Sequence, residues 1–169
     1  MSDRAITCCF TGHRAEKLPW QYNENDSACL ALKERIFDSV EAAWFAGYRH
    51  FICGMATGAD MYFCEAVLRL REEREGVTVE AAIPYEGQSE RWDAQPRMRY
   101  FRLVTECDEQ TVLQRSYTAD CMMERNRYMV DRSSLLIAAY SGAGGGTMHT
   151  MLYAMRSGVR IVELEIGED

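Results

Sequence analysis

The chain has 169 residues, 47% of them hydrophobic; this is enough for one well-buried core and too few for two comfortable domains, so a single domain over residues 1–169 is expected. With 26 acidic against 19 basic side chains and a formal charge of −7, it lacks the clustered surplus of Lys and Arg on which broad phosphate-backbone binding rests, which disfavours nucleic acid as a partner and leaves room only for a local basic pocket. No run approaches the roughly 20 apolar residues of a membrane helix, and Met1-Ser2-Asp3-Arg4 leads straight into a strand-like run with no signal-peptide core, so a cytoplasmic location away from membranes is expected.

Apolar, β-branched runs predict strands at residues 6–10, 50–53, 77–83, 111–113, 135–140 and 160–164. Helical spacing fills the gaps. Cys29, Leu32, Ile36, Val40 and Ala43 recur at three and four, with Asp26 or Ser27 as N-cap and Gly47 as the stop. Met61, Cys64 and Leu68 mark a second helix, and Met148, Met151, Leu152 and Met155 a last one, ended by Gly158; both stripes read as core-facing. The charge run 69–75 mixes signs at a helix end and reads as a solvated face. Seven cysteines lie in apolar segments without a C-x-x-C pair, which predicts free buried thiols and no metal centre. Strands and helices in alternation, with continuous apolar strands, give the fold class: α/β, a single doubly wound, mainly parallel sheet with helices on both faces, Rossmann-like.

In such sheets ligands bind beyond the carboxyl ends of the strands, so the loops that follow the strands carry the functional information. The first strand is followed by Thr11-Gly12-His13-Arg14, which sets a glycine, an imidazole and a guanidinium at the sheet edge as a phosphate or ribose contact set. After the second strand, Gly54 and Gly58 bracket a tight turn around Ala56, and Asp60 either caps the helix at Met61 or accepts ribose hydroxyls. After the third, residues 84–92 combine Tyr85, Gln88 and Arg91, a set that could hold a base or sugar; a Pro-Gly turn anchored by Trp92 reads equally well. After the fifth, Gly142, Gly144, Gly145 and Gly146 precede Thr147 and open into the last helix. Such a loop presents backbone N–H groups to an anion, and the helix dipole adds about half a positive charge. No Lys follows the last glycine, so this is not a Walker A loop. Before that strand, Met122, Arg125, Asn126 and Met129 share one helical stripe; Arg125 there needs either a nearby acid such as Asp131 or Glu124, or an anionic ligand.

These pieces in this order resemble the YpsA family of the SLOG superfamily, which also holds the LOG phosphoribohydrolases and the Rossmann-like part of DprA. The resemblance runs through Cys9-Phe10-Thr11-Gly12-His13-Arg14 with Lys17-Leu18-Pro19-Trp20, Gly54-Met55-Ala56 with Gly58-Ala59-Asp60, Ile83-Pro84-Tyr85 with Gly87-Gln88 and Arg91-Trp92, Arg125-Asn126 with Met129-Val130-Asp131, and Gly145-Gly146-Thr147. It implies a Rossmann-like fold, a nucleotide-derived ligand of the ADP-ribose or NAD type, and a link to bacterial cell division or stress. The LOG enzymes carry an Arg-Lys pair on the penultimate helix and a P-G-G-x-G-T-x-x-E loop. Here Asn126 replaces that Lys, Gly142 the Pro, and Thr150 stands where the catalytic Glu would be. Cleaving an N-glycosidic bond calls for a carboxylate at the oxocarbenium-like sugar, so this departure favours binding over that reaction.

Binding or sensing of a phosphate-bearing nucleotide derivative is therefore the leading expectation. The alternative is a hydrolase or transferase acting on a nucleotide N-glycosidic bond through Asp60, Glu86 or Glu90, and the third is DprA-like single-strand binding, disfavoured by the acidic charge and by the lack of an aromatic and basic track. The nucleotide, any protein partner and the oligomeric state stay open.

Overall fold

The computed structural model describes residues 3–167. Six parallel strands form one sheet: β1 (Thr7–Gly12), β2 (His50–Cys53), β3 (Thr78–Ile83), β4 (Glu109–Val112), β5 (Leu135–Tyr140) and β6 (Arg160–Glu165). Five helices connect them: α1 (Ser27–Phe45), α2 (Ala59–Glu73), α3 (Ala94–Glu106), α4 (Cys121–Asp131) and α5 (Gly146–Arg156). The strand order is β4-β3-β2-β1-β5-β6, so the sheet grows in one direction from β1 to β4, then crosses back to place β5 on the other side of β1. That reversal opens a crevice beyond the carboxyl ends of β1 and β5, the position at which ligands sit in such sheets. Among the described residues no helix is long and apolar enough to cross a membrane.

The pleat divides the interior. Cys8 and Phe10, Phe51 and Cys53, and Leu135, Ile137 and Ala139 face the larger core with α1, α2 and α3, whereas Cys9, Ile52 and Leu136 face a thinner core under α4 and α5. Burial on both faces explains why the strands read as continuous apolar runs. Asp26 caps α1 by accepting from Ala28 N at 2.8 Å, and Gly47 (φ +106°) ends it, both as expected. All seven cysteines are buried and free.

β2 and β5 occupy the expected residues. β4 instead begins at Glu109, two residues early, and β6 runs one residue further, to Glu165. A larger correction concerns α5. Its expected core stripe is not the buried face: Leu152 and Met155 are 44% and 64% exposed, and the side packed on the sheet is Thr147, Thr150 and Ala154, with Met151 only partly buried. Small residues let this helix approach the sheet closely, and the Thr150 hydroxyl is absorbed by its own helix, donating to Gly146 O at 2.8 Å.

On the α4 face a buried polar network crosses β2, β3 and β4. The Glu80 carboxylate, 2% exposed, bonds His50 Nε2 at 2.8 Å and accepts from Tyr128 OH at 2.6 Å and Thr111 Oγ1 at 2.9 Å, while His50 Nδ1 meets Thr78 Oγ1 at 2.7 Å. Burial alone would push the Glu80 carboxyl up; these partners outweigh it and hold it below the usual carboxylate range. The group therefore contributes stability above its unfolded-state value, and that contribution is lost as pH falls through its lowered native value. Replacing Glu80 with Gln turns an all-acceptor group into one with donors facing donors. It should cost about 2 kcal/mol in denaturant unfolding at neutral pH; an unchanged midpoint would show that the network contributes nothing net.

Candidate functional site

The crevice at the switch point encloses about 120 Å³. β1 ends in Gly12, where a Cβ would lie 2.7 Å from Ala59 Cβ, so the first turn of α2 packs directly on the strand end. The loops after β1 and β2 are then clamped together: Ala59 N donates to His13 O at 3.1 Å, and Gly58, at φ +84°, passes so close that a Cβ would stand 2.5 Å from Ala15 N. Between them Met55, fully buried, holds the left-handed conformation at φ +61°, rarely adopted by a side-chain-bearing residue, and its carbonyl is gripped at 3.2 Å by Gln88 Nε2.

This turn makes room for a buried charged couple. Gly54 has no Cβ, and one added there would meet Asp60 Oδ2 at 3.0 Å and the Arg125 guanidinium at 3.1 Å. Asp60 does not cap α2, whose N-cap is Gly58; its carboxylate turns back to accept from Ala56 N at 3.1 Å. Arg125, 4% exposed, donates from Nη1 to Gly54 O and from Nε to Asn126 Oδ1 at 2.8 Å. Neither acid expected to neutralise it does so: Glu124 pairs with Arg127 at 3.4 Å, and Asp131 accepts from Tyr153 OH at 2.6 Å. Among the described residues no carboxylate lies within 4.0 Å of Arg125. Asp60 acts on it from further away. Burial lowers the Arg125 guanidinium's proton affinity and raises that of the Asp60 carboxyl, and each charge opposes the other's shift.

The opposite wall is the start of α5. Its N-cap Gly145 stands at φ +134° and supplies no side-chain cap, so the leading amides of the helix are left to the crevice, where Gly146 and Thr147 form the lining. The two walls are tied across the switch point by His13, whose Nε2 accepts from Ser141 N at 3.3 Å and meets Ser141 Oγ at 2.9 Å. An acceptor Nε2 requires the neutral ring, and burial, with Lys17 nearby, lowers the His13 value below its ordinary one. A lowered native value makes the unfolded chain take up the proton first. Stability should therefore decline as pH falls below about 6.5 toward the native value, and be fully present above it. Thermal melts of wild type and His13→Gln at about pH 7.5 and 5.5 check this: the substitution should flatten the difference, and an equal slope in both would assign it to other groups.

The crevice thus gathers Gly12, His13, Arg14, Ala56, Asp60, Arg125, Asn126, Gly146 and Thr147 from the expected set. Gly54 and Gly58 stand behind it as spacers, and Gly144 and Gly145 shape the approach to α5. Tyr85 and Arg91 lie outside it, in a separate groove formed by the loops after β3 and β4, and Gln88 is committed to Met55. Glu86 and Glu90 also line that groove, which leaves Asp60 as the carboxylate of the crevice. Lys17, Thr11 and Met122 join the lining without having been singled out as site residues; Lys17 stood within the Lys17-Leu18-Pro19-Trp20 block, and a cation five residues beyond a strand-end glycine was the signal available. His50, Glu80 and Glu109 also converge, away from the crevice at the start of β2 to β4, but both ring nitrogens of His50 are already engaged.

The model of the YspA SLOG family matches residues 8–160. The chain is 26% identical to the uncharacterized SPbeta prophage-derived protein YoqJ of Bacillus subtilis (strain 168), over 76% of this chain and 82% of that protein. It is 22% identical to the UPF0398 protein YpsA of the same organism, over 78% and 74% of the two chains, and 22% identical to a UPF0398 protein of Bacillus pumilus (strain SAFR-032), over 78% and 72%.

Proposed function

Since the chain belongs to the YspA SLOG family, whose wider superfamily is tied to nucleotide ligands, we propose that the crevice binds the phosphate of a nucleotide derivative of the ADP-ribose or NAD type. The observation that carries this reading is the convergence on one small crevice of an uncapped helix N-terminus, a buried guanidinium with no carboxylate among the described residues in ion-pair range, and the exposed cations Arg14 and Lys17. Each favours an anion by a different mechanism: backbone dipoles, a desolvated charge and exposed charge. Asp60, which lines the crevice with Arg125, is the acceptor this reading assigns to ribose hydroxyls. Binding rather than phosphoribohydrolysis is supported by Thr150, which is buried and bonded to its own helix, outside the lining. The role in bacterial stress or cell division is taken from the family resemblance alone.

The test is calorimetric titration with ADP-ribose, NAD and AMP. Micromolar or tighter binding is expected, and Gly146→Val should weaken it by roughly tenfold or more, because the side chain would fill space at the helix N-terminus that the phosphate needs. A Cβ at Gly146 meets nothing within 4 Å, so the fold should be kept. Absence of binding by all three nucleotides would overturn the reading. A second reading, cleavage of the nucleotide's glycosidic bond, is favoured by one feature, the raised proton affinity of Asp60 inside the crevice, which suits a general acid. Release of free base that disappears in Asp60→Asn would establish it.

A further inference from the structure

The groove that holds Tyr85 and Arg91 is larger than the crevice, about 710 Å³. A third depression, about 220 Å³, is lined by Arg14, which also lines the crevice, and by Arg91 and Trp92, which also line the groove, so it is the neighbour of both. The groove has fixed walls. Leu113 N donates to Ile83 O at 3.0 Å and Glu86 N to Gln114 O at 3.1 Å, while Gln114 Nε2 ties down Ser116 O and Thr118 Oγ1. On this frame Tyr85 and Tyr117 stand edge to face, ring centroids 5.6 Å apart, and the Tyr117 ring is 64% exposed.

The polar groups stay apart. Arg91 and Arg115 share the groove with Glu86 and Glu90, and among the described residues none of the four makes an ion pair. Donors and acceptors left free beside aromatic faces match the edge and the face of a nucleobase, which carries both donors and acceptors and stacks on a ring. The balance of two cations and two anions gives no net attraction to a polyanionic strand, which would need a cationic track.

We propose that this groove is a second subsite, which takes a nucleobase of the ligand whose phosphate occupies the crevice, so that the protein reads two-headed nucleotides of the dinucleotide type. The inference rests on the crevice being the phosphate site. Charge is read at the switch point, and identity is read by Tyr85, Tyr117 and the flanking carboxylates and guanidiniums.

Titration of wild type, Tyr117→Ala and Tyr85→Ala with NAD, AMP and inorganic pyrophosphate tests it; Tyr117 is exposed enough for truncation to spare the fold. NAD should bind more tightly than AMP, and each truncation should weaken NAD on the order of tenfold while leaving pyrophosphate within about twofold. If the truncations are silent, the subsite is overturned and the crevice reading stands; if NAD gains nothing over AMP, the two-headed ligand is overturned. If pyrophosphate fails to bind while NAD does so through Tyr117, the groove stands and the crevice reading falls. Binding of neither overturns both, and Tyr117-dependent binding of oligothymidylate that tightens with length overturns the dinucleotide in favour of a strand.

Discussion

Gly58→Val should lower unfolding free energy by roughly 4 kcal/mol, the largest loss expected from a single change near the crevice. Two penalties combine there. The backbone at φ +84° is strained for any side chain, and the new Cβ would stand 2.5 Å from Ala15 N and 2.8 Å from both Arg14 C and His13 O. Backbone cannot move aside as a flexible side chain does, so strain and overpacking each contribute about 1 to 3 kcal/mol. In a chain of this length the melting temperature should drop by roughly 10 °C. The β1 and β2 loops would be prised apart, so any nucleotide binding should go as well. A denaturant midpoint within about 1 kcal/mol of wild type would show that these loops are not locked in solution.

Arg125→Met should weaken ADP-ribose binding by about 2 to 5 kcal/mol, the range for losing one member of a desolvated charged pair. Its effect on the unliganded protein is a difference of opposing terms. Losing the guanidinium relieves a buried charge, but Gly54 O loses its donor, at about 1 to 3 kcal/mol. Asp60 also loses the cation that restrains its upward shift. The sign follows: an acid whose native value is raised makes stability fall as pH climbs from the ordinary carboxylate range through that native value. In Arg125→Met this fall should be larger and extend to higher pH, so the variant should compare worst with wild type near pH 8 and best near pH 5. Parallel pH dependence in the two proteins would show that Asp60 and Arg125 do not act on each other.

The strand ends were legible because their signals are steric. Gly12, Gly54 and Gly58 stand where a Cβ has no room, and a sequence displays that demand directly as glycine. β2 and β5 were equally plain, since strands buried on both faces allow few polar residues. Other features depend on what lies across the fold. Glu80 sits inside an apolar run, and only its neighbours His50, Thr111 and Tyr128, distant in sequence, make it a buried acceptor. The exposed edge strand β4 opens with Glu109 and Gln110, which carry no strand signal. The α5 stripe misled because methionine counts as apolar wherever it stands, while the helix meets the sheet through Thr147, Thr150 and Ala154. Tyr85 and Arg91 were grouped with the other strand-end residues but border a different depression, because a loop's sequence does not say which one it lines.

The unequal division of the interior bears on how the molecule breathes. α1, α2 and α3 share a broad apolar interior, whereas α4 and α5 rest on few residues, chiefly Met129, Val130 and Ala154 against Cys9, Ile52 and Leu136. Local opening is least costly where least apolar surface must be exposed, so amide hydrogens in these two helices should exchange with solvent well before those of α2. Arg125, Gly146 and Thr147 ride on that looser layer, while His13, Ala56 and Asp60 belong to the firmer one. An anion gripped by both would staple the layers together, and its occupancy would be legible as slowed exchange along the whole length of α4 and α5, far beyond the residues it touches.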